Sequence, residues 1–184
     1  MTILFLPMFL AGLFLWKRNP ELLRSRLKAR ESRGEQAMVV KLSGLMFLAG
    51  FLLAGLNFRY SWLILPKWVS WTAGAVFLAA YGFYAEVLRE NTYLSRTIEV
   101  REGQTVVDTG LYSMVRHPMY AVTLVLFLSM PLVLGSIWSF LVFLTYPGIL
   151  VKRIRDEEAA LKKALPGYEA YCEKVKYRLI PGIW

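Results

Sequence analysis

The sequence predicts an all-α integral membrane protein of about five transmembrane helices, and three observations predict it. Hydrophobic residues make up 57% of the 184, against roughly half in an ordinary soluble domain, and the mean hydropathy is +0.44. The apolar residues fall in blocks long enough to enter a bilayer. The basic residues crowd onto alternate connections between those blocks.

The first block, residues 3–16, is short for a span, but helices of about 17 residues cross thin bilayers. No basic leader and no small-residue cleavage site accompany it, so it reads as a retained span, not a signal peptide. Asn19-Pro20-Glu21 opens a polar helix through about residue 35, because proline suits a first helical turn. Its Leu22, Leu23 and Leu27 suit the membrane surface. The second block, residues 39–58, holds Gly44, Gly50 and Gly55, and small residues let helices approach closely in lipid. Arg59, Tyr60, Trp62, Lys67 and Trp68 form an aromatic and basic belt. The third block, residues 69–88, ends near Glu86 and Glu90, which read as a solvated interfacial helix end.

Residues 89–118 are polar. Residues 98–107 alternate in part, as a short strand or extended segment does, and Asp108-Thr109-Gly110 is a turn candidate. Two further apolar runs, 119–134 and 137–151, flank Gly135-Ser136 and read as a helical hairpin. Pro131 and Pro147-Gly148 are expected to kink its arms, which membrane helices tolerate beside a cavity. A C-terminal cytosolic helix follows. The chain divides into residues 1–88, three spans with a basic cytosolic loop at 17–38, and residues 89–184, the hairpin and tail that carry the polar clusters.

The net charge of +9 follows the positive-inside pattern. That puts the N-terminus outside, loops 17–38 and 89–118 inside, loop 59–68 outside and the C-terminus inside, and removes the reason to invoke nucleic acid. Cys172 is the only cysteine, so no intrachain disulfide forms, and a packed thiol is expected. Neither an internal repeat nor a low-complexity segment is present.

Two polar clusters flank the hairpin. Residues 110–120 pack the only histidine, an arginine and two tyrosines between apolar runs, and Arg153-Ile154-Arg155-Asp156-Glu157-Glu158 follows. Such groups are costly near a bilayer and mark function. A lone histidine is more often structural than catalytic. Zinc is not expected, because there is no second histidine and one cysteine. Ser113 lacks an elbow motif and no glycine-rich phosphate loop exists. Pro118 disfavours helix at His117 and suits the first turn beyond it, so His117 is expected at a helix N-terminus, a place that favours anions. Tyr112 and Tyr120 flank it with flat apolar faces and hydroxyl tips. Arg153 and Glu157, four apart, share a helical face. They are either a surface ion pair worth under about 1 kcal/mol, or an arginine for a carboxylate beside a glutamate for hydroxyl or amino groups.

Val106-Val107-Asp108-Thr109-Gly110-Leu111-Tyr112 followed by Arg116-His117-Pro118-Met119-Tyr120 resembles the signature of the isoprenylcysteine carboxyl methyltransferase family. Glu157-Glu158-x-x-Leu161, Gly167-Tyr168-x-x-Tyr171 and Arg178-x-x-Pro181 are similar to that family's second block. The resemblance covers about residues 89–184 and makes that half the cofactor-binding catalytic region. It implies an integral membrane enzyme that moves the methyl of S-adenosylmethionine onto the carboxylate of a prenylcysteine-like or other lipidic substrate, leaving S-adenosylhomocysteine. By position it implies cofactor contacts from Gln104, Thr105, Val106, Val107, Tyr112, His117, Pro118, Met119, Tyr120 and Glu157, with Arg153 as the catalytic, substrate-holding residue. Val122 stands where glycine is frequent, Pro166 lengthens the spacing before Gly167, and Gln104 stands where some members have histidine. The alternatives are a phospholipid amine N-methyltransferase, an NADPH-dependent enzyme resembling the sterol reductases, and a non-catalytic lipid-binding protein.

Overall fold

A computed structural model describes residues 2–18, 20, 34–94, 100 and 103–184. Most of the expected polar helix at 19–35, and residues 98, 99, 101 and 102 of the expected extended segment at 98–107, lie outside the described residues. Residues 104–108 are neither helix nor strand, and no strand occurs among the described residues. The helices are α1 (Thr2–Arg18), α2 (Gly34–Tyr60), α3 (Lys67–Glu90), α4 (Pro118–Val133), α5 (Ile137–Phe143), α6 (Tyr146–Ala164) and α7 (Tyr168–Lys174), with a 3₁₀ turn at Gly110–Ser113.

Three stretches are long and apolar enough to cross a membrane: Ala37–Tyr60, Lys67–Glu90 and Ile137–Ala164, the last joining α5 to α6. Leu4–Leu13 and Pro118–Val133 are apolar but shorter than the roughly 20 residues a span usually takes. Three of the five expected spans therefore meet the length criterion. Leu45, Leu48 and Leu52 on α2, with Trp68 and Trp71 on α3, point outward. Water would penalise so large an apolar exterior, whereas lipid accepts it.

The hairpin turn forms where expected. Gly135 has φ +72°, a conformation open to glycine at little cost. Its N–H bonds to Leu132 O and that of Ser136 to Pro131 O, the Schellman pattern that ends a helix. Ser136 Oγ then accepts the N–H of Ser139 at 3.2 Å and caps α5. The second arm departs from expectation. Pro147 does not kink a continuous helix; α5 stops at Phe143, and Pro147 lies in the first turn of α6, where its missing N–H costs nothing.

Helices α3 and α4 run antiparallel. Ser70 Oγ donates to Leu132 O at one end, and Glu90 Oε2 accepts the N–H of Leu111 at the other, 3.1 Å away. Glu86 pairs with exposed Arg89, but Glu90 is not the solvated group expected. Its carboxylate fills the space a Cβ would occupy at Gly110, φ +51°, and so fixes the turn that carries Tyr112. Phe77, Ala80, Leu126 and Leu4 join α3, α4 and α1 in one core. Helix α2 closes on the hairpin through Phe47, whose ring meets Phe127 and Phe143 edge-on at 4.7 and 5.2 Å. The loop between α2 and α3 is clamped by Asn57, whose amide donates to Leu63 O and accepts Leu63 N–H. That loop and the hairpin turn share one end of the bundle, which leaves the start of α2, the end of α3, the start of α4 and much of α6 to enclose the other.

Gly50 sets how closely α2 approaches α5. A Cβ there would lie 2.3 Å from the Phe143 ring, which is 1% exposed and has no room to retreat. Gly50→Ala should cost about 1–3 kcal/mol through overpacking, read as a lower unfolding midpoint in detergent. Gly55→Ala, where a Cβ meets nothing within 4 Å, should leave the midpoint unchanged or raise it.

Candidate active site at the open end of the hairpin

Pro118 keeps His117 out of the helical region, at φ −125° and ψ 60°, so that it becomes the N-cap of α4. The His117 carbonyl accepts the N–H groups of Tyr120 and Ala121, and its own N–H reaches Arg178 O at 2.9 Å. The Arg116 N–H likewise reaches Tyr177 O at 2.9 Å. The histidine is thus stitched to the tail by main-chain bonds on one side and built into a helix on the other.

A buried ion cluster lies beneath it. Glu158, on α6, accepts from Arg116 Nε at 2.7 Å and from Arg178 Nε at 2.8 Å. His117 Nε2 is 3.3 Å from the same Oε1 that Arg116 holds. A carboxylate oxygen only accepts, so in a neutral ring the hydrogen belongs on Nε2. The Arg116 guanidinium also donates to the carbonyls of Val175 and Lys176, and that of Arg178 sits 5.4 Å over the Trp184 ring. Arg116 and Glu158 side chains are 7% and 5% exposed. Charges so buried are tolerated only when hydrogen-bonded throughout.

Above this cluster opens a cavity of about 840 Å³, within the usual range for small-molecule sites. Tyr120 stands on its wall. Its hydroxyl donates to Glu157 Oε2 and accepts from Arg153 Nε at 2.9 Å, so the arginine and glutamate of one helical face meet on a phenol from α4. Glu157 Oε1 lies 3.9 Å from His117 Nδ1. The bland reading of Arg153 and Glu157 as a surface pair instead describes their neighbours Lys152 and Asp156, 3.4 Å apart and partly exposed. The Tyr171 hydroxyl donates to Tyr112 O at 2.7 Å, tying α7 to the 3₁₀ turn. Burial raises the pKa of the Tyr112 and Tyr171 phenols, which stay protonated near neutrality. The Cys172 thiol, half-buried beside Leu165 and Tyr168, is likewise pushed up by burial.

Gln104, Thr105, Val106 and Val107 line the cavity, as do Tyr112, His117, Met119, Tyr120, Arg153 and Glu157. Pro118 is not among the lining residues; it is buried in the first turn of α4. Sequence reasoning passed over Arg116, Glu158 and Arg178 as a unit. The signal available was that all three stand inside the motifs that carry the family resemblance. Val122 packs into the cores that join α3 to α4, so the side chain there fills a helix interface. No group of three or more His, Cys, Asp or Glu side chains placed to hold a metal ion occurs among the described residues.

Removing Glu158 would strand two guanidiniums. Glu158→Ala should lower stability by about 3–5 kcal/mol, read as a large drop in the unfolding midpoint. Glu157→Gln, at a side chain 25% exposed on the cavity wall, keeps an amide oxygen to accept from the Tyr120 hydroxyl and should unfold within about 1 kcal/mol of the parent.

Comparison with known proteins places these residues in a shared frame. The Delta(14)-sterol reductase TM7SF2 of Mus musculus is 34% identical over 91 residues, 48% of this chain and 22% of that protein. The match therefore spans about a fifth of the relative's length. Residues 71–163, which carry α3, the His117 turn, the hairpin and the Arg153–Glu158 cluster, match the Isoprenylcysteine carboxyl methyltransferase (ICMT) family. The chain belongs to that family of membrane methyltransferases.

Proposed function

We propose that this protein is an S-adenosylmethionine-dependent carboxyl methyltransferase acting at the membrane on a prenylcysteine-like or other lipidic acid. The observation that carries the reading is that Arg153 and Glu157 meet on the Tyr120 hydroxyl in the wall of one cavity. That cavity runs from the polar stretch at Gln104 and Thr105 to the apolar faces of Phe47, Phe127 and Leu150. The donor set fits the cofactor: Glu157 accepts from hydroxyl or amino groups, while Val106, Val107 and Met119 offer apolar surface for a flat ring.

When bound, the cofactor supplies an electrophilic methyl on a sulfonium, which is a good leaving group. The residues do the rest by positioning. An acceptor carboxylate is already nucleophilic at neutral pH, so no general base is required. Arg153, steered by Tyr120, holds the acceptor carboxylate by charge-assisted hydrogen bonds. Glu157 holds the donor on the other side of the same phenol. Alignment of this kind supplies up to about 7–11 kcal/mol of the barrier. The apolar wall takes the lipid tail and keeps water from the carboxylate.

On this reading residues 89–184 form the catalytic region and residues 1–88 the spans that complete the acceptor groove. The cavity opens to the cytosol with the C-terminus, and the N-terminus lies outside. Lys41, Arg89, Arg116 and Arg153 all sit at the cavity end, against Arg59 and Lys67 at the other, in line with the positive-inside rule. The partners are the lipidic substrate and membrane lipids, with no role for nucleic acid.

A second reading has a specific observation behind it. The similarity to a sterol reductase favours a nicotinamide nucleotide in the same cavity, and competition between NADPH and S-adenosylhomocysteine separates the two. Methylation of a phospholipid amine is distinguished by its product, since an ester label is released by base and an amine label is not.

Purified protein should bind S-adenosylhomocysteine by calorimetry, and Glu157→Gln should weaken that binding at least about tenfold, as loss of a charged hydrogen bond does. Arg153→Ala should keep cofactor binding but lower methyl transfer to a farnesylcysteine analogue at least about 100-fold, the scale of a misplaced reactant. Equal transfer rates in parent and Arg153→Ala would sink the assignment.

A further inference from the structure

Tyr168 is the first residue of α7 and is 4% exposed. Its ring packs with Leu165, Tyr171 and Val175, and its side chain lines the cavity that Glu157 and Gln104 also line. No described group accepts from or donates to its hydroxyl. Buried hydroxyls nearly always have a partner, and an exception calls for an explanation. Two other buried hydroxyls share this state, those of Tyr112 and Ser139. Ser139 lies against Gly50 in the α2–α5 interface, away from the cavity. The Tyr112 hydroxyl has the Asn91 side chain beside it. Among the described residues, Tyr168 alone combines a place in the cavity wall with a hydroxyl that no side chain pairs with.

The chemistry narrows what it meets. Burial, reinforced by the nearby charges of Glu158 and Glu157, pushes its pKa up and keeps the phenol protonated. It is therefore a neutral O–H donor in a wall whose nearest carboxylates already have other work. Glu158 is taken by Arg116, His117 and Arg178, and Glu157 by the Tyr120 hydroxyl.

We propose that Tyr168 is a ligand-binding residue whose O–H donates to an acceptor oxygen of the small molecule held beside Glu157. The choice of probe rests on the methyltransferase reading above. Glu157 accepts and Tyr168 donates, so together they read a group that carries a donor and an acceptor side by side. A ribose hydroxyl does so, and so does an α-carboxylate next to its ammonium. Both occur in S-adenosylhomocysteine, whereas 5′-methylthioadenosine has the ribose and lacks the amino-acid end.

The test is Tyr168→Phe in the full chain, with calorimetric titration of both compounds and a melting curve without ligand. The ring remains, so the ligand-free midpoint should stay level or rise. Affinity should fall about 2- to 10-fold for a neutral acceptor and about 10- to 100-fold for a carboxylate. A loss on both compounds assigns the ribose, and a loss on S-adenosylhomocysteine alone assigns the carboxylate; either supports the proposal. Parent-like affinity for both compounds overturns it, whatever the melting curve does. A parent protein that binds NADPH in place of either compound sinks the methyltransferase reading, and the NADPH affinity of Tyr168→Phe then decides for or against Tyr168 in the same way.

Discussion

The site depends on one buried carboxylate. Glu158 gathers Arg116 from the segment before α4, His117 from its N-cap and Arg178 from the tail, three pieces separated by 20 to 42 residues from it in sequence. Main-chain bonds from residues 116 and 117 to residues 177 and 178 and the Tyr171 bond to Tyr112 also tie the tail down. Without the common anion, the two guanidiniums would face each other uncompensated. Two cations on one carboxylate leave a positive excess beside the cavity, and Glu157 stands on its far side, 3.9 Å beyond His117 Nδ1. The ion cluster thus sets both the geometry and the local charge against which the cavity works.

Helix α6 shows how adjacent residues come to do different things. Tyr146, Leu150, Ile154 and Glu158 are all buried and recur every fourth position, so they share the face that packs inward. Ile149, Arg153 and Glu157 recur at the same spacing one position earlier, and all three line the cavity. A single step of about 100° along the helix therefore separates an anion that holds the fold from an anion that faces the cavity. The Glu157-Glu158 pair reads in the sequence as a doublet of one kind. In space one is held by three partners and the other is shared with a phenol.

The blocks of apolar residues made α2 and α3 legible, because span length and composition are local properties. Gly135-Ser136 marked the hairpin for the same reason: a positive φ and a cap are written in two adjacent residues. Pro118 fixed His117 at a helix N-terminus by steric restriction alone. What could not be read is what depends on distant pairing. Arg116 lies next to the histidine, yet only the folded tail shows that it faces Val175 and Lys176 carbonyls, 59 and 60 residues away. Glu90 looked like a wet helix end until Gly110, 20 residues on, packed its missing side chain against the carboxylate. Pro147 was expected to bend a helix because apolarity runs through it unbroken. The chain instead ends α5 three residues before the proline becomes part of a first turn.

The boundary of the family match divides the cavity in an informative way. Gln104, Thr105, Tyr112, His117, Tyr120, Arg153 and Glu157 all fall inside residues 71–163. Val40, Ser43, Gly44 and Phe47, which α2 contributes to the same cavity, fall outside it. The likeness to a sterol reductase covers 91 residues, 48% of this chain. Helix α2 carries the opposite wall on a face of small and apolar residues, where substitutions change the shape of the groove without touching the ion cluster. If acceptor choice is written anywhere in this chain, the physics puts it on that wall, because a glycine or serine there can be enlarged while the buried charges that fix the rest stay paired.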